Sequence, residues 1–501
     1  MVAVTPPTDR AGSAGGSVGQ RSITNSAWSF GAVLLSKLST FVVTIILARL
    51  LAPEQFGLIG YCILAMQFFD IISRFGLDSA LISRGETAEA DASSVFFIAL
   101  GLSIAVYATA WITAPHLAEF FRAEEVTDLF RVIAIVLLIE AVGLVHNALL
   151  SVRLRFRAKL VPTVGRSVVK GVVAIALALS GYGVWSLVYG QLAGAAFHTF
   201  GLWMVCRWRP SARLDRDTFL SVFRFGRSMI GVELIGALRS NVDYAFVGRA
   251  LGASALGIYT IAYRLPELVI RSLNMAVGAV THPMLVSLRA EPDAVTRYYV
   301  AYLRFISLLT MPMGVGLAIV AEPFVLVFYG EAWREAILPM QAIALALAIS
   351  SVGFAPGVLY KALNRPDILR NLSLLKLPIV VVVLWHAVEY GLTGVALSQV
   401  GLAVLYVMID SVAVGRFAGI ALSEMARSVM PSVICSAGMG LGGAWLGWTL
   451  DGNDVLELLA LIVTGTVLYI LLLRVLSRAT FFEVLTTLKS VRSARRSEVK
   501  P

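Results

Sequence analysis

Ionisable residues stand inside apolar runs of this 501-residue chain, and their spacing is not random. Gln67, Asp70 and Arg74 fall on one helical face of a single run, and Arg264, Glu267, Arg271 and Asn274 follow at i, i+3, i+7 and i+10 in another. Glu233, Ser240 and Tyr244 share a face of a third run, with Arg239 and Asp243 to its sides, while Lys37, Glu140 and Lys170 stand in three more. A charge placed in hydrocarbon costs about 2.5–3.5 kcal/mol on insertion scales, so such a set must face a hydrated cavity or a partner. The basic members Lys37, Arg74, Lys170, Arg239, Arg264 and Arg271 outnumber the acids, which suits an anionic ligand. Guanidinium in particular matches phosphate oxygens two at a time. The acids Asp70, Glu233, Asp243 and Glu267 are candidates for binding a proton or cation and coupling transport to a gradient. The same spacings suit plain ion pairs, Asp70 with Arg74 and Glu267 with Arg264 or Arg271.

Other chemistries find no support. The five histidines form no metal pair at helical spacing, and Cys62, Cys206 and Cys435 lie apart in apolar segments. Gly438 to Gly443 is glycine-rich but lies within an apolar run, where close helix packing explains it better than a nucleotide. No catalytic residue, metal or cofactor is expected. The net charge of +10 does not indicate nucleic acid, because the basic residues cluster between apolar runs.

The elements that must position these residues are long helices. Hydrophobic residues make up 58% of the chain and charged residues 14%, the composition of a polytopic membrane protein. The fold class is all-α, with about fourteen spans of the ~20 residues that cross a bilayer. The sequence repeats itself. Arg49 and Gly57 match Arg249 and Gly257, 200 residues on; Pro115 and Phe120-Phe121 match Pro323 and Phe328-Tyr329, and Tyr182-Gly183 and Gln191 match Tyr390-Gly391 and Gln399, 208 residues on. Two pseudo-symmetric lobes of six helices follow from this, over 22–210 and 211–420. Two further helices occupy 421–478. A disordered tail over 1–21 and a basic tail over 479–501 flank them.

The run LARLLAPEQFGLIGYCILAMQFFDIISRFGLDSALISRGE, its second copy VGRALGASALGIYTIAYRLPE, and PFVLVFYGEAW resemble the polysaccharide-transport branch of the MOP flippase superfamily, the Wzx-type exporters that include the colanic acid type. The resemblance extends from about residue 22 to residue 477. It implies two six-helix lobes around a central cavity, and a flippase that moves undecaprenyl-pyrophosphate-linked oligosaccharide across the bacterial inner membrane for exopolysaccharide, capsule or O-antigen synthesis. It further implies membrane lipid, a polysaccharide polymerase and export machinery as partners. Lipid II flippases and multidrug or cation antiporters of the same superfamily are alternatives, although an antiporter should have a more acidic cavity. A membrane glycosyltransferase or polymerase is an alternative of another class. It should show a paired-carboxylate site or a large catalytic extracytoplasmic loop, and the sequence has neither.

Loop charge predicts the orientation. Arg153, Arg155, Arg157 and Lys159, then Arg207, Arg209, Arg213 and Arg216, then Lys361, Arg365 and Arg370 fall on one side if each run crosses once. Glu119, Glu124, Glu125, Glu322, Glu331, Glu335, Asp451 and Asp454 fall on the other. Both termini are therefore expected in the cytoplasm. Reporter fusions after Lys159 and after Glu124 should give opposite signals, and equal signals would refute this topology.

Overall fold

The structure is a computed structural model that describes residues 31, 33–211, 215–449 and 454–476. The expected tails over 1–21 and 479–501 lie outside the described residues, as do Arg213 and Asp451. Among the described residues the regular structure is helical, without a strand. Eleven helical segments are long and apolar enough to cross a membrane. Two of them, Arg216–Ser287 with 72 residues and Pro366–Ala418 with 53, have the length of two crossings each. Counting both twice and adding the 21-residue helix Trp185–Val205 gives fourteen. The chain divides into two compact units, 1–241 and 242–501.

In the first unit, α1 (Val33–Leu50) and α2 (Pro53–Arg74) meet at an extended residue, Ala52 (φ −73°, ψ 157°). Pro53 opens α2, where its missing N–H would have had no partner, and Ala52 N–H donates to Gln55 Oε1 (3.2 Å). α2 ends at Phe75 and Gly76, both left-handed, and α3 (Leu77–Ser83) continues beyond them. α4 (Ala88–Phe121), α5 (Val126–Ile133), α6 (Ile135–Val152), α7 (Phe156–Leu179) and α8 (Trp185–Val205) follow, and the first part of α9 (Arg216–Pro266) completes the unit. Its core joins Leu77, Leu81, Ala92, Val95, Ala99, Val145, Leu149 and Leu202.

Contacts sort the turns of this unit to two ends. At one end Tyr61 stacks on Phe121 (4.1 Å between ring centres), and Gln55 sits so close to Gly183 that a Cβ there would meet it at 2.9 Å. At the other end Arg153 Nε donates to Glu89 (3.0 Å) and Arg84 pairs with Asp91, to which Thr218 Oγ1 also donates (2.6 Å). There too Ser211 N donates to Ser93 and Asp215 N to Ser94. Asp215 caps α9: its Oδ2 accepts from Thr218 N (2.7 Å), and these hydrogen bonds hold its carboxyl below the usual carboxylate range. Each long helix of this unit thus runs once from end to end, and the basic residues of 153–159 and of 207–211 share the second end.

The second unit holds the rest of α9, α10 (Ser272–Ser287), α11 (Pro292–Phe324), α12 (Ile337–Ala362), α13 (Pro366–Ala387), α14 (Gly391–Ala418), α15 (Leu422–Thr449) and α16 (Asp454–Leu476). The internal repeat shows in its breaks. Gly252 (φ 90°, ψ −179°) kinks α9 at the position of Ala52 in the first copy, and Gly391 (φ 70°) opens α14 at the position of Gly183. Only glycine adopts the conformation of Gly252 without strain, so the second copy reaches with one glycine the bend that the first makes with Ala-Pro. Leu154 (φ 53°) and Asn364 (φ 58°) are left-handed at corresponding turns of the two copies. Two π-turns, Glu267–Arg271 and Val325–Tyr329, follow Pro266 and Pro323 closely. The first changes the expected stripe: a π-turn adds a residue to the turn, so Arg271 faces outward while Asn274 is buried, donating to Ser351 Oγ (2.8 Å).

Helices α7 and α8 touch backbone to backbone. A Cβ on Gly190 would stand 2.8 Å from the Lys170 carbonyl, and one on Gly194 2.8 Å from the Arg166 carbonyl. These glycines are four apart on α8, the spacing that lets membrane helices approach closely. We expect Gly190→Leu and Gly194→Leu to lower the melting temperature of the detergent-purified protein, by an overpacking cost of about 1–3 kcal/mol each. Gly401→Leu, where nothing lies within 4 Å, should leave it unchanged.

Candidate functional site

The chemistry of the first unit converges on Glu140 of α6. Its Oε2 accepts from Arg74 Nη2 of α2 (2.5 Å), and its Oε1 from Arg166 Nη2 of α7 (2.6 Å). Arg74 Nε also donates to both oxygens of Asp70, one helical turn away, at 2.8 and 2.9 Å. The result is a chain of four charges, Asp70–Arg74–Glu140–Arg166, that ties three helices together and sums to zero. It lines a pocket of about 200 Å³ with Gln67, Gln191, Ile133 and Val136. Gln67 Oε1 accepts from Asn241 Nδ2 (2.8 Å).

The surrounding sequence places Glu140 firmly. Thr199 Oγ1 and Trp203 Nε1 of α8 donate to the carbonyls of Ile139 and Val142 on α6, both at 2.9 Å, so α8 grips α6 on either side of Glu140. The same helix seats its glycines on α7 at Arg166 and Lys170. The position of Arg166 relative to Glu140 is therefore set by two helix contacts of α8.

The residues expected from sequence distribute as follows. Arg74 and Asp70 join the cluster. Lys37 and Lys170 are half-buried on α1 and α7, and both interact within the chain. Glu233 is half-buried on α9, in electrostatic range of Asp78, Arg74 and Asp70. Arg239 is exposed on α9. In the second unit Arg271 Nη1 donates to Glu267 Oε1 (3.1 Å), the pairing that i, i+4 spacing suggests. Arg264 is half-buried, and its Nε has no hydrogen-bond partner among the described residues. Asp243 is buried and accepts from Tyr259 Oη (2.9 Å) and Tyr263 Oη (3.2 Å) across the Gly252 kink; among the described residues no Lys or Arg pairs with it.

Three charged residues of these networks lay outside the sequence reading. Arg166 is one. The others are Lys376 of α13 and Asp410 of α14, a buried ion pair at 2.5 Å, with Lys376 Nζ also 5.2 Å from the Tyr406 ring centre. All three carry the signal used for the rest, an ionisable group in an apolar run. Asp410 lines an apolar pocket of about 610 Å³ among α11, α12, α14 and α15. Among the described residues no cluster of His, Cys, Asp and Glu has the makings of a metal site.

Comparison with known proteins adds family and fold. A model of the family described as polysaccharide biosynthesis protein matches residues 46–338, more than half of the chain. The succinoglycan biosynthesis transport protein ExoT of Rhizobium meliloti is 29% identical over 65% of this chain and 66% of its own length, just under two thirds. The teichuronic acid biosynthesis protein TuaB of Bacillus subtilis is 24% identical over 75% of this chain and 78% of its own. The lipopolysaccharide biosynthesis protein WzxC of Escherichia coli is 23% identical over 70% and 72%. Among solved structures, the lipid II flippase MurJ superposes with a TM-score of 0.74 over 91% of this chain and 99% of that one, at 15% identity. An inward-facing multidrug transporter of the MATE family, in the MOP superfamily, superposes at 0.63 over 77% and 98%, at 16% identity. The fold is that of the MOP superfamily.

The Lys376–Asp410 pair yields a stability test. Lys376→Met removes the cation beside a buried carboxylate and should cost about 3–5 kcal/mol, whereas Lys376→Met with Asp410→Leu should recover most of that loss, because a buried pair and its apolar replacement are close in stability. Thermal melting of the two purified variants checks it; equal losses in both would show that the pair does not act as a unit.

Proposed function

The chain belongs to the polysaccharide biosynthesis protein family, and from that premise we propose that it is a flippase that carries undecaprenyl-pyrophosphate-linked oligosaccharide across the bacterial inner membrane, with both termini in the cytoplasm. It is a multi-pass membrane transporter, not an enzyme. Its product feeds exopolysaccharide, capsule or O-antigen assembly, in concert with a polymerase and export machinery. The observation that carries the reading is the combination of relatives named for succinoglycan transport, teichuronic acid and lipopolysaccharide biosynthesis with a fold shared by a lipid II flippase. The fold alone does not separate this reading from a lipid II flippase or a multidrug antiporter; the relatives favour polysaccharide.

Lys37, Arg74, Lys170, Arg239, Arg264 and Arg271 are the proposed contacts for substrate phosphate, and Asp70, Glu233, Asp243 and Glu267 the proposed coupling acids. Geometry ranks the acids. Asp70 and Glu267 are each held by an arginine, whereas Asp243 is held by two phenols and pairs with no cation among the described residues. A carboxyl in that setting can gain or lose a proton without breaking an ion pair, so Asp243 leads as the coupling acid.

The test is flipping of a lipid-linked oligosaccharide in proteoliposomes, read by external glycosidase access. Wild type should accelerate exchange over protein-free vesicles and respond to an imposed pH gradient. Asp243→Asn should flatten that response while downhill flipping persists. No acceleration by wild type overturns the flippase reading; an intact gradient response in Asp243→Asn removes that residue from coupling.

A further inference from the structure

A cluster that sums to zero has no net charge to attract an anionic ligand, yet the arrangement of its atoms suits one well. Each oxygen of Glu140 takes a guanidinium from a different helix, Arg74 of α2 and Arg166 of α7, at 2.5 and 2.6 Å. Two oxygens of one phosphate group would make the same two contacts. Resting on the reading of a lipid-diphosphate flippase, we propose that this pocket of the first unit is a diphosphate subsite. Glu140 is the internal anion that occupies it until a ligand phosphate takes its place between Arg74 and Arg166.

Access and charge both support this. The side chains of Arg74 and Arg166 are 37% and 31% exposed, so both guanidiniums can be approached from the pocket, while Glu140 between them is 15% exposed. The pocket of about 200 Å³ has room for several waters at about 30 Å³ each, and hence for a small anion. Gln67 and Gln191 line it. Gln67 spends its carbonyl on Asn241, which leaves its amide N–H groups to donate to a ligand. Asp70 grips Arg74 through Nε and so fixes the guanidinium without covering both of its outer nitrogens.

The wider electrostatics explain why a resident anion is needed. Asp70 and Arg74 from α2, Arg166 from α7 and His198 from α8 lie in electrostatic range of Glu140, with Asp78 of α3 in range of Arg74 and Lys159 of α7 in range of His198. α4, which also packs on α6, adds apolar Ala92, Val95 and Ala99 to their shared core. Without Glu140 two guanidiniums would face each other at low dielectric, with one carboxylate to offset them. A carboxylate that a phosphate can displace keeps both arginines paired whether the site is empty or loaded. Glu140 fits that role better than Asp70, because Asp70 touches one arginine and Glu140 touches two.

The experiment uses the full-length protein in lipid nanodiscs, titrated calorimetrically with inorganic pyrophosphate and, separately, with farnesyl diphosphate. Glu140→Gln keeps the side-chain shape and removes the competing charge. It should bind either probe about tenfold more tightly than wild type, the scale of one partly screened ion pair. Arg166→Ala should bind about tenfold more weakly. Tighter binding of farnesyl diphosphate than of pyrophosphate assigns the site to a lipid headgroup, and the reverse order assigns it to a free diphosphate. Unchanged or weaker binding of both probes by Glu140→Gln, at an unchanged melting temperature, overturns the proposal, since that is what a purely structural Glu140 predicts. Failure of wild type and variant to bind either probe overturns it as well. If Glu140→Gln does not fold, Glu140→Asp takes its place: the shorter carboxylate cannot span both guanidiniums, and tighter binding is again expected. A wild type that flips oligosaccharide while Glu140→Gln shows no gain refutes the subsite and leaves the flippase reading intact. A gain in affinity with no flipping by wild type does the opposite.

Discussion

Hydrocarbon cannot solvate an ion, and the charged interior of this protein follows from that constraint. Each carboxylate or guanidinium placed at bilayer depth must find a counter-charge, a polar cage or a wet pocket. The Glu140 bridge meets the requirement for two arginines on two helices at once. Lys376 and Asp410 meet it as a buried ion pair, and Asp243 by accepting from two phenols. The three solutions differ in how much water reaches them. The bridge opens onto a pocket, the Lys376–Asp410 pair has only 10% and 7% of its two side chains exposed, and the phenol cage is buried. A buried pair adds little net stability and is costly to break, which suits a structural role. A bridge that opens onto a pocket can exchange partners, as the proposed binding role requires.

Helix packing delivers the charges to those places. α8 has few features of its own, yet it determines the geometry of the cluster: Thr199 and Trp203 hold α6, and Gly190 and Gly194 admit the α7 backbone. Small residues serve here because lipid tails are as apolar as Leu, so helices associate in a membrane through close contact and hydrogen bonds. The second unit handles its turns differently. Where the first copy uses Ala52-Pro53, the second uses Gly252, and π-turns beside Pro266 and Pro323 rotate the residues after them. The two copies of the repeat thus keep the same breaks by different local chemistry, and their interiors differ. The charge bridge lies in the first unit and the phenol cage in the second.

The same fold is found in a lipid II flippase and in multidrug transporters, so the architecture does not name a substrate. Charge does more. In the Glu140 cluster two acids balance two bases, so under the proposed reading a ligand anion has a resident carboxylate to displace.

Much of this protein was legible in its sequence. Run length and composition dictate an all-α membrane protein, because only helices satisfy backbone polar groups within one segment in lipid. The repeat was visible in Arg49 and Arg249 and in Tyr182-Gly183 and Tyr390-Gly391, since bends need particular residues at particular places. The i, i+4 pairs Asp70–Arg74 and Glu267–Arg271 were legible too, because local spacing sets them. Tertiary structure alone decided that Arg74 and Arg166 both meet Glu140, and that Lys376 meets Asp410, since those partners lie 66, 26 and 34 residues apart and meet only when helices pack. It also decided that Asn274 turns inward and Arg271 outward, because a π-turn changes helical register in a way that a 3.6-residue period cannot foresee. Sequence places a charge on a helix face; which face meets which neighbour is settled by glycine contacts and carbonyl hydrogen bonds that no periodicity records.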